Sequence, residues 1–331
     1  MFRKGKRKKA DVQEFERNLE DNLFSLHLEI KDKTYRHSDY TSFYITDPKS
    51  RHIHKACVKD RIVHHAIYRI LYPLFDPAFI NDSYSCRNKK GTHKAVKRLE
   101  KFTRIVSKNY TKPCWALKCD VKKYFSSVDH RILFGLIKRR VTDKKVLWLI
   151  SEILSSFDSR ERERERERDD PVLKIQPARR GLPIGNLTSQ LFANVYLGEL
   201  DQFIKHRLRI KYYLRYCDDF IILGNDYSSL ENLIGQIQFF LECQLSLKLH
   251  PRKIIIRKLS SGIDFLGYII LPHYIVPRRR TVKRIFRNFE KKVTIEPQKA
   301  NASLQSNLGY LSHANAYRIS RILEEIYRVS K

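Results

Sequence analysis

Two adjacent carboxylates, Asp218 and Asp219, sit between apolar runs in YYLRYCDDFIILG. A third, Asp120, closes the alternation of CWALKCDVKKYF. Carboxylates side by side repel, and apolar flanks deny them the solvation that would soften the repulsion. A divalent cation resolves that conflict, and Mg²⁺ favours carboxylates together with phosphate oxygens. If the strands that carry them are neighbours in one sheet, all three converge on a single edge. Two metals held there would activate an attacking hydroxyl and neutralise a phosphate leaving group. Taken alone, an Asp-Asp pair also reads as an ordinary turn, where Asp is common.

The elements that must position these residues are legible in outline. Trp115, Leu117 and Cys119 alternate with Lys118 and Asp120, which is strand periodicity. The apolar runs around Cys217 and Asp218 predict an antiparallel hairpin turning there. Asp129 is placed to cap a helix running through Arg140. A loop with Gly181, Pro183 and Gly185 leads into an amphipathic helix over 187–207. Beyond the hairpin come a helix over 228–247 and the strands KIIIR and DFLGYII. Strand, helix, hairpin, helix, strand is the split β-α-β pattern of an α/β (α+β) fold. Upstream, apolar spacing predicts helices over 12–28 and over 60–74, the latter ended near Pro73 and Pro77, with a Tyr-rich extended stretch between them. Residues 160–170, RERERERERDD, offer no apolar face and are expected to form an exposed insertion. From Pro277 the chain turns basic and helical, with a boundary expected near Pro272.

Composition narrows the partners. The 331 residues include 66 Lys and Arg against 36 Asp and Glu, a formal net charge of +30. Such an excess speaks of partners rather than fold, and the commonest polyanion is nucleic acid. An enzyme of anionic lipid is disfavoured, because no apolar run is long enough to span a bilayer and no apolar signal region opens the chain. The opening MFRKGKRKKA reads as a solvated basic tail or as an RNA contact. Six cysteines show no CxxC spacing, so reduced thiols in a cytoplasmic compartment are expected.

Several of these segments resemble reverse transcriptases. YCDDF at 216–220 resembles their YxDD motif, and LKCDVKKYF at 117–125 their first carboxylate motif, in the right order and at suitable separation. GLPIGNLTSQLFANVYL lies where that family places its template- and nucleotide-contacting loop and helix. DFLGYII is similar to the strand that grips the primer end, and DPKSRHI, KDRIVHHAI and SYSCRNKKGTHKA resemble the fingers motifs. The likeness runs from about residue 40 to 315. Where most members carry QGxxxSP, this chain has IGNLTSQ, which resembles the enzymes of diversity-generating retroelements.

The resemblance implies a right-hand polymerase. Residues 1–39 would be a basic arm and helix, 40–112 the fingers, 113–271 an antiparallel-sheet palm bearing the 160–170 insertion, and 272–331 a basic helical thumb. It implies that Asp120 and Asp218 ligate two Mg²⁺ ions, with Mn²⁺ as a substitute, assisted by the Val121 carbonyl and, less intimately, by Asp219. Phe125 would lie under the incoming sugar and exclude a 2′-hydroxyl. Lys49 and Arg51 would hold the triphosphate, Lys253 would lie near the departing pyrophosphate, and Ile184, Gly185 and Gln190 would border the nucleotide. Each of these cations also reads as plain surface charge in so basic a chain. Arg278, Arg279, Arg280, Lys283, Arg284 and Arg287 would track the product duplex. The implied partners are a template RNA, the RNA–cDNA hybrid, dNTPs and a pentameric basic accessory protein, with no membrane. The implied reaction is primer extension that is error-prone at template adenines. Three rivals stand beside it: a retron or group II intron enzyme; an RNA-dependent RNA polymerase, opposed by Phe125; and a non-catalytic RNA-binding module, which has no use for three convergent carboxylates.

Overall fold

A computed structural model describes residues 3, 5–46, 49–159 and 179–329. The Arg-Glu repeat lies outside the described residues. Where one N-terminal helix was expected there are two, α1 (Ala10–Arg17) and α2 (Leu19–Lys31), separated at Asn18, whose ψ of 50° is not helical. Strands β1 (Thr41–Ile45) and β2 (Arg51–Lys55) form an antiparallel hairpin. Helix α3 (Val58–Phe75) ends between Pro73 and Pro77, as expected. Pro73 has no N–H to donate to the Arg69 carbonyl one turn earlier, and the helix stops two residues beyond it. Helix α4 (Thr92–Val106) buries Ala95, Val96, Leu99, Phe102 and Val106 on one face.

The centre of the molecule is a four-stranded antiparallel sheet in the order β4-β5-β3-β6: β3 (Trp115–Asp120), β4 (Tyr213–Tyr216), β5 (Asp219–Gly224) and β6 (Ile255–Lys258). Between β3 and β4 lie α5 (Tyr124–Ser127), α6 (His130–Lys138), α7 (Lys144–Ser155) and α8 (Leu187–Gln202), the last continuing as a π-turn through Arg207. Helix α9 (Tyr227–Leu245) joins β5 to β6. The split β-α-β expectation therefore holds. Asp129 does cap α6, accepting from the amides of Arg131 at 2.9 Å and Ile132 at 3.4 Å, although the helix ends at Lys138.

Side-chain alternation divides the sheet between two cores, as the two-residue period of a strand requires. Leu117, Cys119 and Ile222 pack with α3, α6, α8 and α9. Ala116, Leu214, Ile221 and Leu223 pack with α4 and a second, three-stranded sheet. That sheet corrects one expectation. DFLGYII is two strands, β7 (Ile263–Phe265) and β8 (Tyr268–Leu271), because Leu266 and Gly267 turn the chain with φ of 50° and 92°. Strand β9 (Tyr274–Pro277) completes it. Pro272 lies in the β8–β9 turn, so the change to helix comes after Pro277. Helices α10 (Arg279–Ile295), α11 (Pro297–Leu311) and α12 (Tyr317–Val329) then close around Phe289, Leu304, Leu311 and Leu323. No helix among the described residues is long and apolar enough to cross a membrane.

Candidate active site

The register of β3 against β5 sets Asp120 directly opposite Asp219. Residues opposed in an antiparallel pair project to the same face with Cβ atoms about 5 Å apart. Asp218 occupies the adjoining turn, which Cys217 enters with a left-handed φ of 58°. The two expected carboxylate motifs thus meet at one end of the sheet, on the face they share with Lys118. Among the described residues no group of three or more His, Cys, Asp or Glu side chains forms a ready-made metal cage. Mg²⁺ does not require one, since it is commonly held by one or two carboxylates plus substrate phosphates.

The electrostatics fit the binding of a divalent cation. Burial, then the nearby charge of Asp120, pushes the Asp218 carboxyl above the usual range. Asp219 is raised by burial and by Asp218 and Asp120, against a partial opposing pull from Lys118. The only cation bonded to any of the three among the described residues is Lys253, whose Nζ donates to Asp120 Oδ1 at 2.8 Å. A dication placed here would reverse the mutual repulsion and restore the solvation that burial removed.

What holds this turn in place was not foreseen. Arg215, alone in the otherwise aromatic and apolar strand β4, is fully buried. Its Nε and Nη2 donate to Asp201 Oδ1 and Oδ2 at 2.8 and 2.6 Å. Its Nη1 donates to Asn194 Oδ1 at 3.2 Å and to the Cys217 carbonyl at 2.9 Å. Burial opposes this charge, but Asp201 more than offsets it and keeps Arg215 protonated. Tyr213 adds a hydroxyl donated to Asp201 Oδ1 at 2.6 Å. The guanidinium fork therefore ties helix α8 to the backbone that carries Asp218. A lone Arg inside YYLRY was the available signal, because a charge in a buried strand needs a partner.

The central loop is stapled on two sides. The Leu182 amide donates to the Phe125 carbonyl at 2.6 Å, and the Gly181 amide to that of Val128 at 2.8 Å. On the other side, the His54 amide of β2 donates to the Ile184 carbonyl at 2.9 Å, and Asn186 Nδ2 to the His54 carbonyl at 3.1 Å. Gly185 has φ of 122°, and a Cβ there would meet Ile53 Cγ2 at 3.1 Å. Phe125, Ile184, Gly185 and the strand of Arg51 are thus brought into one neighbourhood. Val121 is buried and bridges Leu249. Lys49 is exposed between β1 and β2, and Gln190 is exposed in the first turn of α8. Of the six α10-region cations, Arg278 is committed to an ion pair with Asp264, while Arg279, Arg280, Lys283 and Arg287 are exposed and Arg284 is half-buried.

Comparison with known proteins shows what this chain is similar to. A family model described as reverse transcriptase (RNA-dependent DNA polymerase) matches residues 45–270. Protein YkfC of Escherichia coli (strain K12) is 24% identical over 246 residues, covering 65% of this chain and 61% of YkfC. The group II intron-encoded protein LtrA of Lactococcus lactis subsp. cremoris is 23% identical over 330 residues, covering 80% of this chain and 51% of LtrA. This chain thus spans between half and two thirds of the length of these curated relatives. The solved telomerase from Candida albicans, in complex with a fragment of telomeric RNA, superposes with a TM-score of 0.56 at 12% identity. It covers 91% of this chain and 55% of its own. At that identity the likeness is one of fold.

Proposed function

The chain belongs to the reverse transcriptase (RNA-dependent DNA polymerase) family, and on that premise we propose that it copies a template RNA into DNA by extending a primer. The observation that carries the reading is the opposition of Asp120 and Asp219 across β3 and β5, with Asp218 in the adjoining turn. Asp120 and Asp218, with the Val121 carbonyl, would hold two Mg²⁺ ions, and Asp219 would contribute less closely. Such ions, when bound, lower the pKa of a primer 3′-hydroxyl and stabilise the leaving pyrophosphate.

The remaining roles belong to the protein. Arg51 and Lys49 on the β1–β2 hairpin would grip the triphosphate through charge-assisted bonds. Lys253, which donates to Asp120, would balance part of the carboxylate charge and lie near the departing pyrophosphate. The Phe125 ring would close the space beneath the sugar against a 2′-hydroxyl. The exposed cations of α10 would track the phosphates of the RNA–cDNA hybrid without reading sequence. On this reading residues 40–112 serve as fingers, 113–271 as palm and 272–331 as thumb.

The IGNLTSQ loop supports a finer reading, a diversity-generating retroelement enzyme that miscopies template adenines during mutagenic retrohoming and works with a pentameric basic accessory protein. The likeness to LtrA supports the alternative of a group II intron-type enzyme. One assay addresses both levels. Purified protein is given a primed RNA of defined sequence with dNTPs or NTPs, and the products are sequenced. Extension with dNTPs but not NTPs supports the reaction, and errors concentrated at template adenines support the finer reading. Extension only with NTPs, or none at all, contradicts the reaction, and uniform errors favour the alternative.

A further inference from the structure

A second basic surface lies away from the carboxylates. Lys97, Lys101, Arg104 and Lys108 fall at intervals of four, three and four residues from the middle of α4 to just past its end, all exposed. That spacing places Lys97, Lys101 and Arg104 on one helical face, with Lys108 following just past the helix end. They line a groove of about 840 Å³ together with Tyr110 and His273, whose ring centroids are 4.4 Å apart. Glu100 is the single carboxylate in the lining, and among the described residues none of the four cations is ion-paired. Most of α4's remaining charge is committed: Arg98 pairs with Asp82, and Lys94 donates to the Lys89 carbonyl.

The groove stands at the opposite end of the central sheet from the proposed chemistry. Asn225, just past β5, donates to the carbonyls of Val106 and Pro113, fixing the end of α4 beside the Trp115 end of β3. Asp120 is five residues further along that strand, about 17 Å away. The wall of the groove is also held in a costly conformation. Lys108, Asn109 and Tyr110 are three consecutive left-handed residues, with φ of 48°, 57° and 69°. Each costs about 1–2 kcal/mol for an L side chain. The turn is held by Asn109 Oδ1 accepting from Arg104 Nε at 2.8 Å and by the Tyr110 amide donating to Ser107 Oγ at 2.9 Å. It sets an aromatic ring at the end of a basic stripe, the pairing of groups that follows a single strand of nucleic acid: cations for phosphates and rings for bases.

We propose that this groove binds a single-stranded segment of the template-bearing RNA, outside the site where that RNA is copied. The stripe from Lys97 to Lys108 is roughly 16 Å long, enough for several backbone phosphates. Tyr110 and His273 would receive a base at its end. The occupant's identity as RNA rests on the function proposed above, whereas the surface itself stands on its own geometry. By tethering RNA beyond the copying site, the groove would raise the local concentration of a long template without altering the chemistry.

The test is the affinity of wild type and of a Lys97→Gln, Lys101→Gln, Arg104→Gln, Lys108→Gln variant for two ligands. One is a short blunt RNA–DNA hybrid, and the other is the same hybrid carrying a long unstructured RNA extension. If each cation meets one phosphate, the salt slope for the extended ligand falls by about 2.8 in the variant. Wild type then loses about 50-fold more affinity than the variant between 50 and 200 mM salt. Affinity for the blunt hybrid stays the same. Tyr110→Leu, with its fold checked by melting, weakens the extended ligand by roughly five- to a hundredfold. An unchanged salt slope, or equal loss on both ligands, overturns the proposal. So does an extension that binds through the groove equally well when made double-stranded, or when replaced by an acidic peptide. Binding is read without synthesis, so an inactive enzyme that still shows the extension effect would refute the function and spare the groove.

Discussion

Asp201→Asn isolates the buried device behind the Asp218 turn. The substitution is nearly isosteric, so packing is preserved and the change is one of charge. It leaves Arg215 fully buried and positively charged, with Nε and Nη2 facing an amide in place of the two carboxylate oxygens now 2.8 and 2.6 Å away. Removing one partner of a buried ion pair costs about 3–5 kcal/mol, because the survivor keeps its desolvation penalty without its attraction. At about 2 °C per kcal/mol for a chain of this size, the melting temperature falls by roughly 6–10 °C. Urea titration gives the free energy directly, provided the slope of the transition is unchanged. Arg215→Lys separates geometry from charge. A lysine retains the charge but cannot span Asp201, Asn194 and the Cys217 carbonyl together, so nucleotide addition should suffer more than stability. Unfolding of Asp201→Asn within about 1 kcal/mol of wild type would refute the reasoning.

Two further outcomes follow from single residues. Burial, and then the neighbouring His37, lowers the pKa of His64 to about 3, and His64 bonds Thr188 Oγ1 at 2.6 Å at the start of α8. A histidine depressed on folding contributes stability above its unfolded pKa, near 6.5, and loses it as pH falls toward the folded value. Wild-type stability should therefore drop between about pH 6.5 and 4 by up to about 1.4 kcal/mol per pH unit more steeply than in His64→Gln, measured as urea unfolding at each pH. Equal slopes would show that His64 does not titrate on unfolding. At the central loop, on the function proposed above, Ile184 would offer the incoming nucleotide shape but no hydrogen bond. Ile184→Gln should lower misincorporation opposite template adenine by about two- to tenfold, the worth of one polar contact of about 0.5–1.5 kcal/mol. Sequenced cDNA from one defined RNA is the readout, and equal adenine error frequencies would remove Ile184 from the account.

The parts of the fold that sequence exposes are those where one local rule decides. Alternation around Trp115, Leu117 and Cys119 marked β3 because that face packs in the helical core while Lys118 and Asp120 fall on the other. Apolar runs about Cys217 and Asp218 marked the hairpin, and Asp129 marked the start of α6. Tertiary packing decided elsewhere. DFLGYII has the composition of one strand, and only the left-handed pair Leu266-Gly267 bends it into two. The break at Asn18 has no strong sequence signal, since the helical period continues across it. Among the site residues, the carboxylates are legible because their type and spacing are unusual. Arg215, Asp201 and Asn194 were not, because a buried polar network joins residues distant in sequence by partners that no local pattern announces. The β2–loop contact through His54 and Ile184 was hidden for the same reason: it is made by backbone.

The most direct test is single-nucleotide addition by Asp218→Asn and Asp120→Asn on a primed RNA, set beside their affinity for that RNA. The proposed function assigns the carboxylates to chemistry and expects the net charge of +30 and the exposed cations to supply binding. Both variants should therefore bind RNA close to wild type yet add no measurable nucleotide. Near-wild-type addition by either variant, with the protein folded, would contradict the assignment of these carboxylates as the catalytic metal site.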